Sequence, residues 1–172
     1  YPGADPKTIA WEGVKNQVSA FARSAGSPLA QRRVILLSND LTTVPDNFLD
    51  KIDNAHGTFY ALQGEVFTMS SGVPFTIIKP NGLSDGEGGK QEIIVAHDDQ
   101  GWSPLNLNTA FITRSDVARL LIFAVENPEK TKGLRFDVTS KKFGGAPTTD
   151  LSKLFQAAEY PWNANGANHA VV

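Results

Sequence analysis

The chain has no cysteine in its 172 residues, which excludes disulfides, thiolate metal centres and cysteine nucleophiles. It has little net charge. Sixteen Lys and Arg face 18 Asp and Glu, a formal charge of -2, so no broad field draws it to nucleic acid or to an anionic membrane surface. No apolar run approaches the roughly 20 residues that span a bilayer. The opening Tyr1-Pro2-Gly3-Ala4-Asp5 is neither a secretory signal nor a basic transit peptide, and without an initiator Met it reads as a processed or truncated start. Also lacking is any G-x-G-x-x-G or G-x-x-G-x-x-G turn, the strand-to-helix element that cradles dinucleotide phosphates.

What is present suits one globular domain. Hydrophobic residues make up 41% and charged residues 20%, enough apolar material for a packed core at this length. Val14, Val18, Phe21, Ala22 and Ala25 recur at the helical period and predict a helix over 6–25 that Gly26 ends. Arg33-Val34-Ile35-Leu36-Leu37-Ser38 reads as a strand covered on both faces. Residues 39–53 are polar and irregular and predict a loop. A second helix over 55–71 places Phe59, Leu62, Val66 and Met69 on its core face, with Gly64 weakening it by about 1 kcal/mol against Ala.

Beyond it, 92–96 is a short strand, 83–90 and 101–108 are loops, and Ser115 is a plausible N-cap for a helix burying Val117, Leu120, Leu121 and Ala124. A strand over 134–139 follows. A last helix, capped by Thr149 or Asp150, buries Leu151, Leu154, Phe155 and Ala158. Residues 160–172 read as an extended tail. Buried strands alternating with amphipathic helices imply an α/β fold with a parallel, doubly wound sheet in three layers. One domain over 1–160 and a tail over 161–172 account for the chain.

The segment Ser70 to Leu83 carries the most functional information. Gly72 and Pro74 end a helix, Phe75 to Ile78 is a buried strand, and Lys79-Pro80-Asn81-Gly82 stops it. Ligands of open α/β sheets sit just past the carboxyl ends of strands, so this is a candidate binding edge. Ser38 ends the neighbouring strand and is a second candidate. Because the chain opens on a helix, the 34–38 strand is expected to lack a neighbour on one side. Such an edge needs cover, either from a preceding βαβ unit outside the chain or from a partner.

These segments together resemble an atypical short-chain dehydrogenase/reductase, a Rossmann-fold family that binds NAD(P). Trp11-Glu12-Gly13-Val14-Lys15-Asn16, the strand ending in Ser38, the helix from Glu65 to Gly72, Pro74 to Leu83 and Arg114-Ser115-Asp116-Val117-Ala118 match it in order. The "KPNGL" wording resembles plastid and algal members. The resemblance implies NAD(P) as cofactor, with Ser38, Lys79, Pro80, Asn81, Gly82 and Leu83 lining its site and backbone groups of the loop holding the nicotinamide amide. It implies that the chain is a C-terminal portion lacking the N-terminal βαβ unit, and a chloroplast location, or otherwise a cytoplasmic one.

The family's catalytic Tyr and Lys would fall at Gly57 and Ala61, which can do no acid/base chemistry. Tyr60 is one position away, about 100° round the helix. Two functions follow: an oxidoreductase on a small organic substrate, or a non-catalytic subunit of a larger, photosynthetic or plastid assembly that covers the open sheet edge. Lesser candidates read as structural. His97-Asp98-Asp99 is a turn, Arg114 and Asp116 belong to a helix start, Gly86-x-Gly88-Gly89 is a flexible loop, and Trp102 and Trp162 lie in loops.

Overall fold

A computed structural model describes residues 5–24, 26–44, 46–99 and 108–160. Residues 101–107 of the expected 101–108 loop and the tail over 161–172, with Trp102 and Trp162, lie outside the described residues. So does Ala25, the end of the first helical stripe.

The chain opens with a π-helical segment, Lys7–Gly13, which runs into helix α1 (Val14–Arg23). Strand β1 (Val34–Leu37) follows, and a 3-10 turn (Leu49–Asn54) interrupts the expected loop. Helix α2 (Gly57–Ser70) leads through Gly72, at φ 75°, into β2 (Phe75–Pro80). The strand thus extends two residues beyond the expected stop, because Lys79 and Pro80 pair with Asp137 and Val138 of a later strand.

Short β3 (Gly82–Ser84), β4 (Glu92–Ala96) and β5 (Phe111–Thr113) come next. Then follow α3 (Arg114–Glu126), a single turn α4 (Pro128–Thr131), β6 (Leu134–Lys141) and α5 (Leu151–Ala157). Thr113, not Ser115, caps α3: its side chain accepts from the Asp116 amide. Asp150 caps α5 by accepting from the Lys153 amide.

The main sheet has the order β1-β2-β6-β4. Strands β1, β2 and β6 are parallel, with Leu37 opposite Ile78 and Ile78 opposite Phe136. Strand β4 runs antiparallel to β6, so the sheet is mixed rather than wholly parallel. Strands β3 and β5 form a separate parallel pair. Among the described residues β1 stands at one end of the sheet, as expected of a chain whose first element is a helix.

The two faces of β6 differ. Leu134, Phe136 and Val138 pack with Ile78, Ile93, Leu120 and Phe155 in the apolar core under α3 and α5. Arg135, Asp137 and Thr139 point to the other face and are buried as well.

Helix α2 covers that second face with a different stripe from the one its sequence suggests. Thr58, Ala61, Gly64, Glu65 and Thr68 are its buried residues, whereas Phe59 is 49%, Val66 47% and Met69 36% exposed. The cause is close approach. A Cβ on Gly64 would lie 2.4 Å from the Ala10 carbonyl oxygen, so this glycine admits the π-helical segment against α2 rather than weakening the helix for no return. Glu65 faces inward because Arg135 is there to receive it.

Candidate functional site

Strands β1 and β2 end side by side. The Ser38 amide donates to the Ile78 carbonyl at 2.9 Å and the Asp40 amide to the Pro80 carbonyl at 3.1 Å. Between the chain leaving β1 and the chain leaving β2 opens a cleft of about 370 Å³, lined in part by Ser38, Asn39, Pro80, Asn81, Gly82 and Leu83. Its walls are apolar and accessible: Phe48 is 58%, Phe111 52% and Leu83 40% exposed. Five of the six residues expected at a binding edge therefore meet in one concavity.

Lys79 is the exception. Its side chain is fully buried and turned inside, so it is neither a solvated strand end nor presented to the cleft. The expectation that backbone groups of the loop hold a ligand also changes in detail. The Asn81 amide donates to the Val138 carbonyl at 2.9 Å and the Gly82 amide to Asn81 Oδ1 at 2.8 Å, so these N–H groups serve the fold and not a ligand. Gly82 is required by packing, since a Cβ there would come within 2.8 Å of the Ala110 carbonyl oxygen. The cleft thus offers apolar walls and oxygen acceptors.

Beneath the cleft lies a charged network that sequence reasoning did not find. Lys79 Nζ meets Asp137 Oδ1 at 2.8 Å and Asp99 Oδ1 at 3.1 Å, all three side chains being buried. Asp99 also accepts from the backbone amides of Leu41 (2.6 Å) and Thr43 (2.7 Å) and from the Thr43 hydroxyl. One carboxylate thereby fixes the backbone of the loop that forms one side of the cleft.

Burial alone would raise the Asp99 carboxyl, but the Thr43 hydrogen bonds and Lys79 outweigh it and hold it below the usual range. Asp137 goes the other way. Burial raises it, Lys79 pulls it back, and neighbouring Asp99 adds to the rise.

A second ion pair joins the face of β6 to α2. Arg135 meets Glu65 Oε2 at 2.8 Å and Asp98 Oδ1 at 2.8 Å. Burial disfavours the guanidinium charge, yet Glu65 more than offsets this and the Arg135 pKa is raised. Ser38 Oγ donates to Glu65 Oε1, so the hydroxyl at the floor of the cleft has its proton engaged and keeps acceptor capacity. Tyr160 stacks on His97 with ring centroids 4.0 Å apart, and burial raises its phenol, helped by Asp98. The available signal was the strand Leu134–Lys141, where Arg, Asp and Thr alternate with apolar residues. Such alternation ordinarily marks a solvated face.

The other sequence candidates have structural positions. His97, Asp98 and Asp99 form the turn after β4, with Asp98 and Asp99 at φ 54° and 58°. Asp116 is buried and accepts from the Gly89 amide and from Arg119, so Gly86–Gly89 packs on the first turn of α3. Arg114 pairs with Asp85 rather than with Asp116. Tyr60 is half-buried beside Phe59, ring centroids 5.3 Å apart.

No protein-family model matches the chain. It is 35% identical to an uncharacterized chloroplastic protein of Arabidopsis thaliana over 154 residues, 89% of this chain and 45% of that protein. It is 32% identical to sanguinarine reductase of Eschscholzia californica over 161 residues, 93% of this chain and 56% of that enzyme. The chain thus spans about half the length of the curated relatives it matches.

Among solved structures, an oxidoreductase of Lactococcus lactis superposes with a TM-score of 0.65 at 15% identity, covering 93% of this chain and 66% of that one. A short-chain dehydrogenase/reductase of Veillonella parvula in complex with NADP gives 0.54 at 16% identity, covering 74% and 57%. These likenesses establish the fold. With the parallel β1-β2-β6 arrangement, they show a Rossmann-like fold.

Proposed function

We propose that this chain holds the nicotinamide end of an NAD(P) dinucleotide in the cleft past β1 and β2, as part of an oxidoreductase acting on a small organic substrate. One observation carries the reading. An apolar-walled cleft lies at the carboxyl ends of two adjacent parallel strands, where ligands of this fold class bind.

The residues present fit that end of the cofactor. Leu83, Phe48 and Phe111 give flat, accessible apolar surface to a ring. Ser38 Oγ, its proton given to Glu65, accepts from a carboxamide N–H. When bound, the nicotinamide supplies hydride chemistry. The chain's own share is to seat the ring, orient its amide and keep the floor rigid through Asp99 and Lys79. Among the described residues no glycine-rich strand-to-helix turn is present to cradle the phosphates. The likeness to a reductase supports reductive chemistry, and the likeness to a chloroplastic protein supports a chloroplast location.

Titration of the complete protein with NADPH, followed by nucleotide fluorescence, tests the reading. Saturable binding supports it and its absence rejects it. A second reading, a non-catalytic subunit of a larger assembly, draws on the unpaired edge of β1 and the exposed stripe Phe59, Val66 and Met69. A complete protein that purifies from gently treated extracts alone and monomeric counts against that second reading.

A further inference from the structure

A larger concavity, about 610 Å³, lies on the other side of the chain that follows β1. Thr43, Val44, Asp50, His56, Phe59 and Tyr60 are among its lining residues. It contains an arrangement that neither the cleft nor the fold requires. His56 Nδ1 lies 3.1 Å from Asp50 Oδ2.

Asp50 is itself fixed. Its Oδ1 accepts from the Thr58 hydroxyl at 2.8 Å and from the Phe59 amide at 2.9 Å, and its side chain is only 13% exposed against 58% for His56. Burial works against the Asp50 charge. The Phe59 amide, the Thr58 hydroxyl and His56 outweigh it, so the carboxyl is held below its usual range.

An anchored, ionised carboxylate on Nδ1 selects the tautomer that carries its proton there. Nε2 is then left as a lone pair. Tying the loop is not a sufficient reason for the imidazole. Thr58 and Phe59 hold Asp50 to the first turn of α2 without it, and Asn47 binds Leu41, Val44 and Thr58 besides. His56 also sits at φ 50°, in the left-handed region. That region costs a side-chain-bearing residue about 1 kcal/mol or more, and such strain gathers at functional sites.

We propose that Asp50 and His56 form a proton-transfer site, with His56 Nε2 as general base and, once protonated, general acid towards a flat, hydroxyl- or carbonyl-bearing aromatic molecule seated against Phe59 and Tyr60. In the basic direction an O–H or activated C–H bond breaks, the N–H bond forms at Nε2, and the bonding electrons stay with the substrate. In the acidic direction the N–H bond at Nε2 breaks and the same proton returns to the oxygen or carbon anion of the substrate. No oxidant or reductant enters the step. The site would supply the acid/base group that Gly57 and Ala61 cannot, yet its operation does not depend on a dinucleotide being bound.

Two measurements on the complete protein test it, neither using a nicotinamide cofactor. Long-range proton–nitrogen NMR correlation reads the tautomer: neutral His56 is expected with its proton on Nδ1, and Asp50→Asn is expected to abolish that preference. The second uses 5-nitrobenzisoxazole, a flat aromatic whose ring C–H is removed by a base as its N–O bond opens. Saturable acceleration is expected, falling at least about tenfold in His56→Gln, with far-ultraviolet dichroism and melting showing the variant folded. If Asp50→Asn does not fold, His56→Gln carries the test alone. A neutral His56 protonated on Nε2, or an elimination rate unchanged in His56→Gln, overturns the proposal. Failure to bind NADPH would reject the dinucleotide reading and leave this one standing.

Discussion

Two arrangements of charge flank the chain that leaves β1, and they are built in opposite ways. On the inner side, Lys79, Asp99 and Asp137 are fully buried and each is satisfied by the others or by backbone amides. On the outer side, Asp50 is held but His56 keeps more than half its side chain exposed. Removing an ion from water is expensive, and in a closed cluster the ions offset much of that cost for one another. Such a cluster can position a backbone but has nothing left for a ligand. The outer pair is partly solvated, is cheaper to form, and leaves one nitrogen available. The contrast separates a cluster closed on itself from a pair with one group in reach of solvent.

The largest expected effect breaks the inner arrangement. Lys79→Met leaves two carboxylates facing each other in the interior and is expected to cost about 3–5 kcal/mol of stability, read as a lower urea midpoint. Adding Asp137→Asn removes one of the uncompensated charges and should return part of that loss. No recovery would show that Lys79 acts through packing and not charge.

Gly64→Ala comes next. Helix propensity alone favours Ala by about 1 kcal/mol, but the Cβ would lie 2.4 Å from the Ala10 carbonyl oxygen. Net destabilisation of about 1–3 kcal/mol is expected in thermal melts. A stabilised variant would mean that the π-helical segment yields easily.

Asp99→Asn sharpens the comparison through pH. Asp99 has a folded pKa below its ordinary 3.8, so its stabilisation is present above that value and is lost as pH falls through the lowered folded value. The variant should lose about 1–3 kcal/mol at pH 7 and less at pH 3, with faster hydrogen exchange at the Leu41 and Thr43 amides. Asp137, raised above 3.8, has the opposite sign. Its protonation favours the fold as pH falls, which makes the acid limb of the wild-type protein shallower than Asp99 alone would give. Urea midpoints at the two pH values check both statements.

The smallest effect belongs to Arg114→Ala. Its partner Asp85 is 94% exposed and Arg114 itself 57% exposed, so the change should stay within about 0.5 kcal/mol.

The cleft at the carboxyl ends of β1 and β2 was legible because its cause is local. A short apolar run, a helix end marked by Gly72 and Pro74, and a strand end at Lys79-Pro80 place Pro80 to Leu83 at the carboxyl edge whatever the rest of the chain does. Ser38 was legible on the same ground.

Lys79 and α2 were not. The stripe Phe59, Val66 and Met69 has the period of a core face, but the helix turns Thr58, Ala61, Gly64, Glu65 and Thr68 inward. Its neighbours there are the π-helical segment and a polar face of β6, which demand small residues and a carboxylate. No periodicity within α2 encodes what lies 70 residues later at Arg135.

The sequence by itself determined the alternation of the longer strands and helices, the end of β1, the turn at Gly72 and the cap at Asp150, because these depend on side chains within a few residues of one another. Tertiary structure alone decided which charges are interior and which stay in reach of solvent. Burial of Lys79, Glu65, Asp99, Arg135 and Asp137 is tolerable only when partners from β2, α2, β6 and the turn after β4 converge within about 3 Å. That convergence is a property of strand order and register, and it appears nowhere in the local pattern.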